Sequence, residues 1–272
     1  MLVTKELRSN LDNDEDNESD GLISFDSDGF TLNDDNNYNR NEETYVGWCW
    51  KANETGVTNA DQTEKYSTDS GLSIITYDGS SSDIYIEHSL GSPPGIVICK
   101  RRTSPDENWA VYSSEIGNDY VLSLDGTSGA WQDDDWDNTT PDSTKIYFSG
   151  SSARVNFPSE DYVCYAFTDV IGSSKFGKYT GNGNNIGPII NCGFNPSMVI
   201  VKNTDTNGDW IMLDSIRDGG DYVNQALFSN NEELEDEAGG SYLIEFTSTG
   251  FQIRAAGEIN DNNNTYLYMA FA

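Results

Sequence analysis

SIITYDGSSSDIYIEHSLGSPPGIVICKR (residues 73–101) and KFGKYTGNGNNIGPIINCGFNPSMVIVKN (residues 175–203) lie one on the other without a gap, at an offset of 102 residues. Tyr77 meets Tyr179, Gly79 meets Gly181, Ile84 meets Ile186, Gly91 meets Gly193, Pro94 meets Pro196 and Lys100 meets Lys202. One residue is then lost, and Trp109 meets Trp210. A register held this long makes the chain a tandem repeat of a unit roughly a hundred residues long.

The ends of the units agree as well. One copy closes with KIYFSGSSARVNFPSEDYVCYAFTDV (145–170) and the other with LIEFTSTGFQIRAAGEINDNNNTYLYMAFA (243–272). LISFDSDGFTLNDDNNYNRNEETYVGWCWKA (22–52) is a third version of that ending. Phe25, Gly29, Phe30 and Leu32 match Phe246, Gly250, Phe251 and Ile253, and Tyr45–Trp50 matches Tyr266–Phe271. The expected organisation is a half unit at 1–52, a polar linker at 53–72, and two full repeats at 73–170 and 171–272. Within the repeats IVICK, WAVYS, YVLSL, KIYFS, ARVNF and YVCYAF are short, β-branched and aromatic, and Gly, Asn, Asp, Ser and Pro separate them. No segment carries a helical apolar stripe. The expected fold is all-β, with tandem antiparallel β-sandwich units of jelly-roll type.

Charge narrows the function. The 272 residues hold 46 Asp plus Glu against 15 Lys plus Arg, a net charge of −31. Such a surface repels phosphate, so no nucleic-acid partner is expected. It favours solubility in a salty medium that screens self-repulsion. No apolar run approaches the roughly 20 residues that span a bilayer, so no membrane partner is expected, and the N-terminus reads as no secretory signal. Cys49, Cys99, Cys164 and Cys192 form no Cys-x-x-Cys pair, which argues against zinc. Cys49, Cys99 and Cys192 replace small or apolar residues of the other copies, as buried free thiols do. His88 is the sole histidine and lies opposite Ile190, a structural position. With no second histidine and no distinctive carboxylate pair, the chain does not read as an enzyme.

Two loop chemistries stand out. Acidic stretches at 12–20, 132–142 and 230–238 fall at one place in their units. Asp16, Glu18 and Asp20, and again Asn203, Asp205 and Asn207 with Asp214 at position twelve, resemble incomplete calcium loops, so calcium is the one cofactor considered. Solvated acidic loops are the alternative. Trp131 and Trp136 flank Asp133, Asp134 and Asp135, a pattern in which indoles stack on sugar rings while carboxylates take hydroxyls; packing on the sandwich edge is the alternative there. Trp109 and Trp210 match between copies and are expected in the core. Phe25, Phe30, Tyr45, Trp48 and Trp50 give the half unit too much apolar surface to leave bare. Either strands from a neighbouring copy in a homo-oligomer cover it, or the chain is the tail of a longer polypeptide.

YVGWCWKA (45–52), HSLGSPPGIVICKR (88–101), SKFGKYTGNG (174–183), the GFNPSMVIVK run of 193–202 and TYLYMAFA (265–272) together resemble a repeat family of marine bacteriophage virion proteins. Members occur in phages of cyanobacteria and of SAR11-type bacteria. The likeness covers nearly all of residues 22–272, and its motifs fix turns and core aromatics, not an active site. It implies a structural virion protein made in the host cytoplasm, a tail fibre or similar appendage. The implied partners are further copies of the chain, other virion proteins and a host-surface glycan. A capsid decoration protein is the first rival, and a carbohydrate-binding module is the rival of another class.

Overall fold

Short β-branched and aromatic segments form strands wherever Gly, Asn, Asp or Pro can turn the chain between them, and here they do so throughout. The computed structural model describes residues 4–237 and 241–272, and these are nearly all β. The N-terminal part holds two hairpins, β1 (Lys5–Glu6) with β2 (Asp16–Asn17) and β3 (Leu22–Phe25) with β4 (Phe30–Leu32). The first full unit runs through β5 (Glu54–Thr58), β6 (Gln62–Ser67), β7 (Leu72–Asp78), β8 (Ile84–Glu87), β9 (Ile96–Arg101), β10 (Ala110–Ser113), β11 (Tyr120–Ser123), β12 (Trp131–Gln132), β13 (Lys145–Phe148) and β14 (Asp161–Phe167). The second runs through β15 (Ser174–Thr180), β16 (Ile189–Asn191), β17 (Met198–Asn203), β18 (Trp210–Asp214), the short helix α1 (Ser215–Asp218), β19 (Tyr222–Val223), β20 (Gln225–Phe228), β21 (Asp236–Glu237), β22 (Ile244–Thr247), β23 (Gly250–Ile253) and β24 (Thr265–Phe271).

The large sheet of the first unit has the order β12-β11-β10-β9-β14-β7-β6-β5, and that of the second β21-β20-β18-β17-β24-β15. From β12 to β7 and from β21 to β15 these are one six-stranded antiparallel arrangement used twice, to which the first unit adds β6 and β5. The second layer is β8 with β13 in the first unit and β16-β23-β22-β19 in the second. β3 and β4 pair Phe25 with Phe30 as β22 and β23 pair Phe246 with Phe251, as the sequence match requires. KIYF differs from its expected place. It pairs with β8 as β23 pairs with β16, so it stands in for GFQI and not for LIEF.

The expected linker is also different. Most of residues 53–72 is the β5–β6 hairpin, which extends the first large sheet beyond β7. Its polar residues point inward to named partners. The buried Glu64 carboxylate accepts from the Ser73 hydroxyl at 2.7 Å, the Ser89 amide and hydroxyl at 2.7 Å each, and the Val57 amide at 2.8 Å. Gly56 leaves room for it, since a Cβ there would sit 1.8 Å from Glu64 Oε2.

Each sandwich closes on its own core. Tyr77, Val97, Cys99, Trp136 and Phe148 belong to the first core, and Tyr179, Val201, Phe251 and Ile253 to the second. Between the units lies a third core from the opposite faces of the same strands, including Ile96, Ile98, Trp109 and Val111 with Met198 and Trp210. This two-sided burial explains why IVICK and MVIVK are continuous apolar runs.

One buried asparagine recurs in both sandwiches. Asn156 accepts from the Ser80 amide at 2.7 Å and donates to the carbonyls of Ser82 and Ser149. Asn260 accepts from the Asn182 amide at 2.8 Å and donates to the Asn184 and Ala255 carbonyls, 2.8 Å each. Removing such a side chain strands several buried backbone groups. Asn260→Ala is therefore expected to lower the unfolding free energy by about 2–3 kcal/mol, with a lower urea midpoint and an unchanged slope.

Candidate functional site

The β9–β10 connection of the first unit and the β17–β18 connection of the second each carry a lysine and a tryptophan, and both tryptophans belong to the third core. Both lysines are fully buried. Lys202 donates to the carbonyls of Gly208 and Asn203 (2.9 Å each) and to Thr127 (3.0 Å) in the preceding unit. Trp210 Nε1 donates to the Ser123 carbonyl at 2.7 Å, and the Ala130 amide donates to the Thr204 carbonyl. The first unit repeats this on the N-terminal segment. Lys100 donates to the carbonyls of Glu107 and Asp12 at 2.8 Å, Trp109 Nε1 to those of Arg8 and Leu11, and the Glu15 amide to the Arg102 carbonyl.

The gripped segments are themselves equivalent. β1 pairs Lys5 with Asn17, β11 pairs Tyr120 with Gln132, and β20 pairs Gln225 with Glu237, three hairpins of one span. Two of the three hairpins are thus held by the following unit through a lysine and a tryptophan. The N-terminal part is held by the first unit and the first by the second. The Asn10 amide reaches Glu232 of the second unit at 3.4 Å, which closes the ring.

Trp50, Phe167 and Phe271 are equivalent positions in the three parts, and they meet. Their ring centroids stand 6.3 Å (Trp50–Phe167), 5.2 Å (Trp50–Phe271) and 6.1 Å (Phe167–Phe271) apart, all edge to face. Trp48 and Trp50 are half-buried, packed against the third core. Phe25, Phe30 and Tyr45 are not, with 72%, 40% and 51% of their surfaces exposed. Residues 45–52 form no strand, although β14 and β24, their counterparts, are flanked on both sides. Beside them lies a mainly apolar cavity of about 1370 Å³, bounded by Phe25, Phe30, Trp48, Trp50, Phe228 and Glu232 among others. This cavity is the candidate interaction surface.

The loop read as a sugar platform serves the sandwich instead. Trp136 is fully buried against Tyr112 and Phe148 and donates to the Tyr120 carbonyl at 3.2 Å. Asp135 is equally buried and pairs with Arg154 at 2.8 Å and with the Ser152 hydroxyl. Burial pushes the Asp135 carboxyl up against the pull of Arg154. Burial acts upward on Asp133 too, but its bonds with Arg154 bring that carboxyl below its ordinary value. Trp131 is half-buried, donates to Asp133 at 3.2 Å and lies under the Arg154 guanidinium. Asp134, the exposed member, accepts from Ser151. Trp136 is thus withdrawn from any sugar ring, and Trp131 carries Arg154 on its face.

The calcium candidates lie apart, and Asn203, Asp205 and Asp214 have local partners. Asp16 lies in β2, and Glu18 accepts the Asp20 amide. Asn203 is buried and closes a turn by accepting from the Asp205 and Thr206 amides, and Asp205 accepts from Thr265. Asn207 is exposed in that turn. Asp214 caps α1 and pairs with Arg217 at 2.7 Å. Among the described residues no three His, Cys, Asp or Glu side chains are grouped to hold a metal ion. Ala238, at the end of the third acidic loop, lies outside the described residues.

Of the cysteines, Cys99, Cys164 and Cys192 are buried free thiols, but Cys49 is exposed, because the strand expected around it does not form. His88 is buried, which pushes its pKa down, and its Nε2 meets the Asp142 carbonyl at 3.1 Å. Sequence reasoning passed over an exposed tyrosine. Tyr85 lies beside Tyr147, under the Lys145 ammonium, at a polar cleft of about 500 Å³ that Asp61, Asp78 and Glu87 help to line. Pairing of β8 with β13 brings these together; no local motif marks it.

A family model described as a domain of unknown function (DUF7483) matches residues 2–272, the partial unit included. The chain belongs to this family. No curated protein and no solved structure matches it. Among the described residues no helix is long and apolar enough to cross a membrane.

Two measurements test these placements. Trp136→Ala is expected to cost about 3–5 kcal/mol in urea unfolding, and Trp131→Ala much less. Burial holds Lys202 down at about 8, below the ordinary value near 10.4. The unfolded chain then binds more protons between those values, so this group makes stability rise with pH across that window. Wild type should gain on Lys202→Met from pH 8 to 10 in paired melting curves, and parallel curves would contradict it.

Proposed function

We propose that the chain is a structural component of a virion, a tail fibre or similar appendage, with other virion proteins and further copies of itself as partners. The supporting observation is the ring of three equivalent parts, tied by buried lysines and tryptophans around Trp50, Phe167 and Phe271. Its polar residues are committed to holding shape, which suits a load-bearing module. The virion context rests on the family resemblance, because fold alone does not assign function. Capsid decoration is the rival position on the particle. Contact with host glycans is a second reading, now favoured at Tyr85 and Tyr147 and not at Trp131 and Trp136.

Antibodies against the purified chain are expected to label the tails of phage particles from marine cyanobacterial or SAR11-type cultures. Label on the heads would favour decoration, and label confined to soluble material would overturn the virion reading. A glycan-array signal lost in Tyr85→Ala would support host contact.

A further inference from the structure

The ring contains three hairpins to be held but only two lysine–tryptophan pairs to hold them. The third hairpin, β20–β21, offers the Phe228 and Glu232 carbonyls where the others offer Ser123 and Thr127, or Arg8 and Asp12. Among the described residues no lysine or tryptophan side chain bonds to them. Ser229, on the same wall of the cavity, has a buried hydroxyl with no hydrogen-bond partner among the described residues. On the opposite wall the N-terminal part shows the matching deficit. Asp125 and Asn230 each accept from the backbone amide of their own unit's tryptophan, Trp109 and Trp210. Their counterpart Asn10 accepts from no tryptophan amide among the described residues, and its side-chain amide reaches Glu232 at 3.4 Å.

We infer that the cavity is a docking site for one further β half unit of this repeat: strands equivalent to β7–β10, carrying a lysine and, eight or nine residues later, a tryptophan. The spacing is that of Lys202 to Trp210 and Lys100 to Trp109. The incoming lysine meets the Glu232 carbonyl beside the acidic side chains of Glu232 and Glu233, so charge is complementary. The incoming tryptophan reaches the Phe228 carbonyl with its indole and Asn10 with its backbone amide. The donated strands pair with residues 45–50 and with β1, and cover Phe25, Phe30 and Tyr45 by strand addition. A second copy of this chain does not fit the role, because its own lysines and tryptophans are buried in their own ring. The inference holds whether or not the assembly is a virion.

The test uses the full chain and, as probe, residues 174–220 of this sequence on a soluble carrier protein. Calorimetry is expected to show one probe per chain, with affinity at least about tenfold weaker for probes bearing Lys202→Met or Trp210→Ala. Should the probe not fold in isolation, the same segment is placed directly ahead of Met1 of the full chain. Thermal unfolding should then rise by about 5 °C or more, and acrylamide quenching of tryptophan should fall. Neither change is expected when the added copy lacks its lysine and tryptophan. Equal melting of the two extended chains would overturn the inference. So would a dimer of the unmodified chain that shields Phe25, Phe30 and Tyr45.

Discussion

A buried ammonium is the constraint on which the arrangement rests. Lys100 and Lys202 lie inside an apolar interface, where an unpaired charge is very costly. Each is compensated by backbone carbonyls, some from its own turn and one from the neighbouring part. The carbonyl from outside makes the sheet's outer face incomplete without its neighbour. Two sandwiches that each have a self-sufficient core are thereby tied into one body.

That tie also explains what the sequence conceals. Carbonyls belong to every residue, so SLDGTSGA (123–130) and RSNLDNDE (8–15) are held in one geometry with almost no residue in common. The repeat in the holders was legible, because lysine and tryptophan side chains do the holding. The repeat in the held segments was not. Trp109 and Trp210 were read as core from their match, and they are buried, but between parts and not inside either sandwich.

The other differences have equally local causes. A polar segment reads as a linker when its inward residues are Gln, Glu and Ser, yet Glu64 is satisfied by four donors that only the folded neighbours supply. Trp131 and Trp136 looked like a pair on a loop. Arg154, distant in sequence, takes two of the three carboxylates between them, Asp133 and Asp135, and the sandwich takes Trp136. The half unit was legible from Phe25 to Trp50, including the Phe25–Phe30 cross-strand pair. Its last segment stays out of strand form, because a central strand needs partners on both edges and these are present only in the full units.

Head-to-tail holding of this kind has no inherent stop, since each part presents one hairpin and grips another, and such contacts form filaments unless the rotation closes. Here the rotation closes at three. Trp50, Phe167 and Phe271, one ring from each part, meet edge to face at the centre with centroids 5.2–6.3 Å apart, and Phe176 packs against the latter two. The larger indole stands in the part that lacks its sheet, where extra bulk replaces some of the missing packing. The acidic surface is consistent with this economy of cations: two of the chain's 15 Lys and Arg residues, Lys100 and Lys202, are withdrawn to hold the ring. Carboxylates outnumber the cations left outside, so the surface is held apart from other molecules by its own charge and opened to a neighbour mainly where apolar surface is still uncovered.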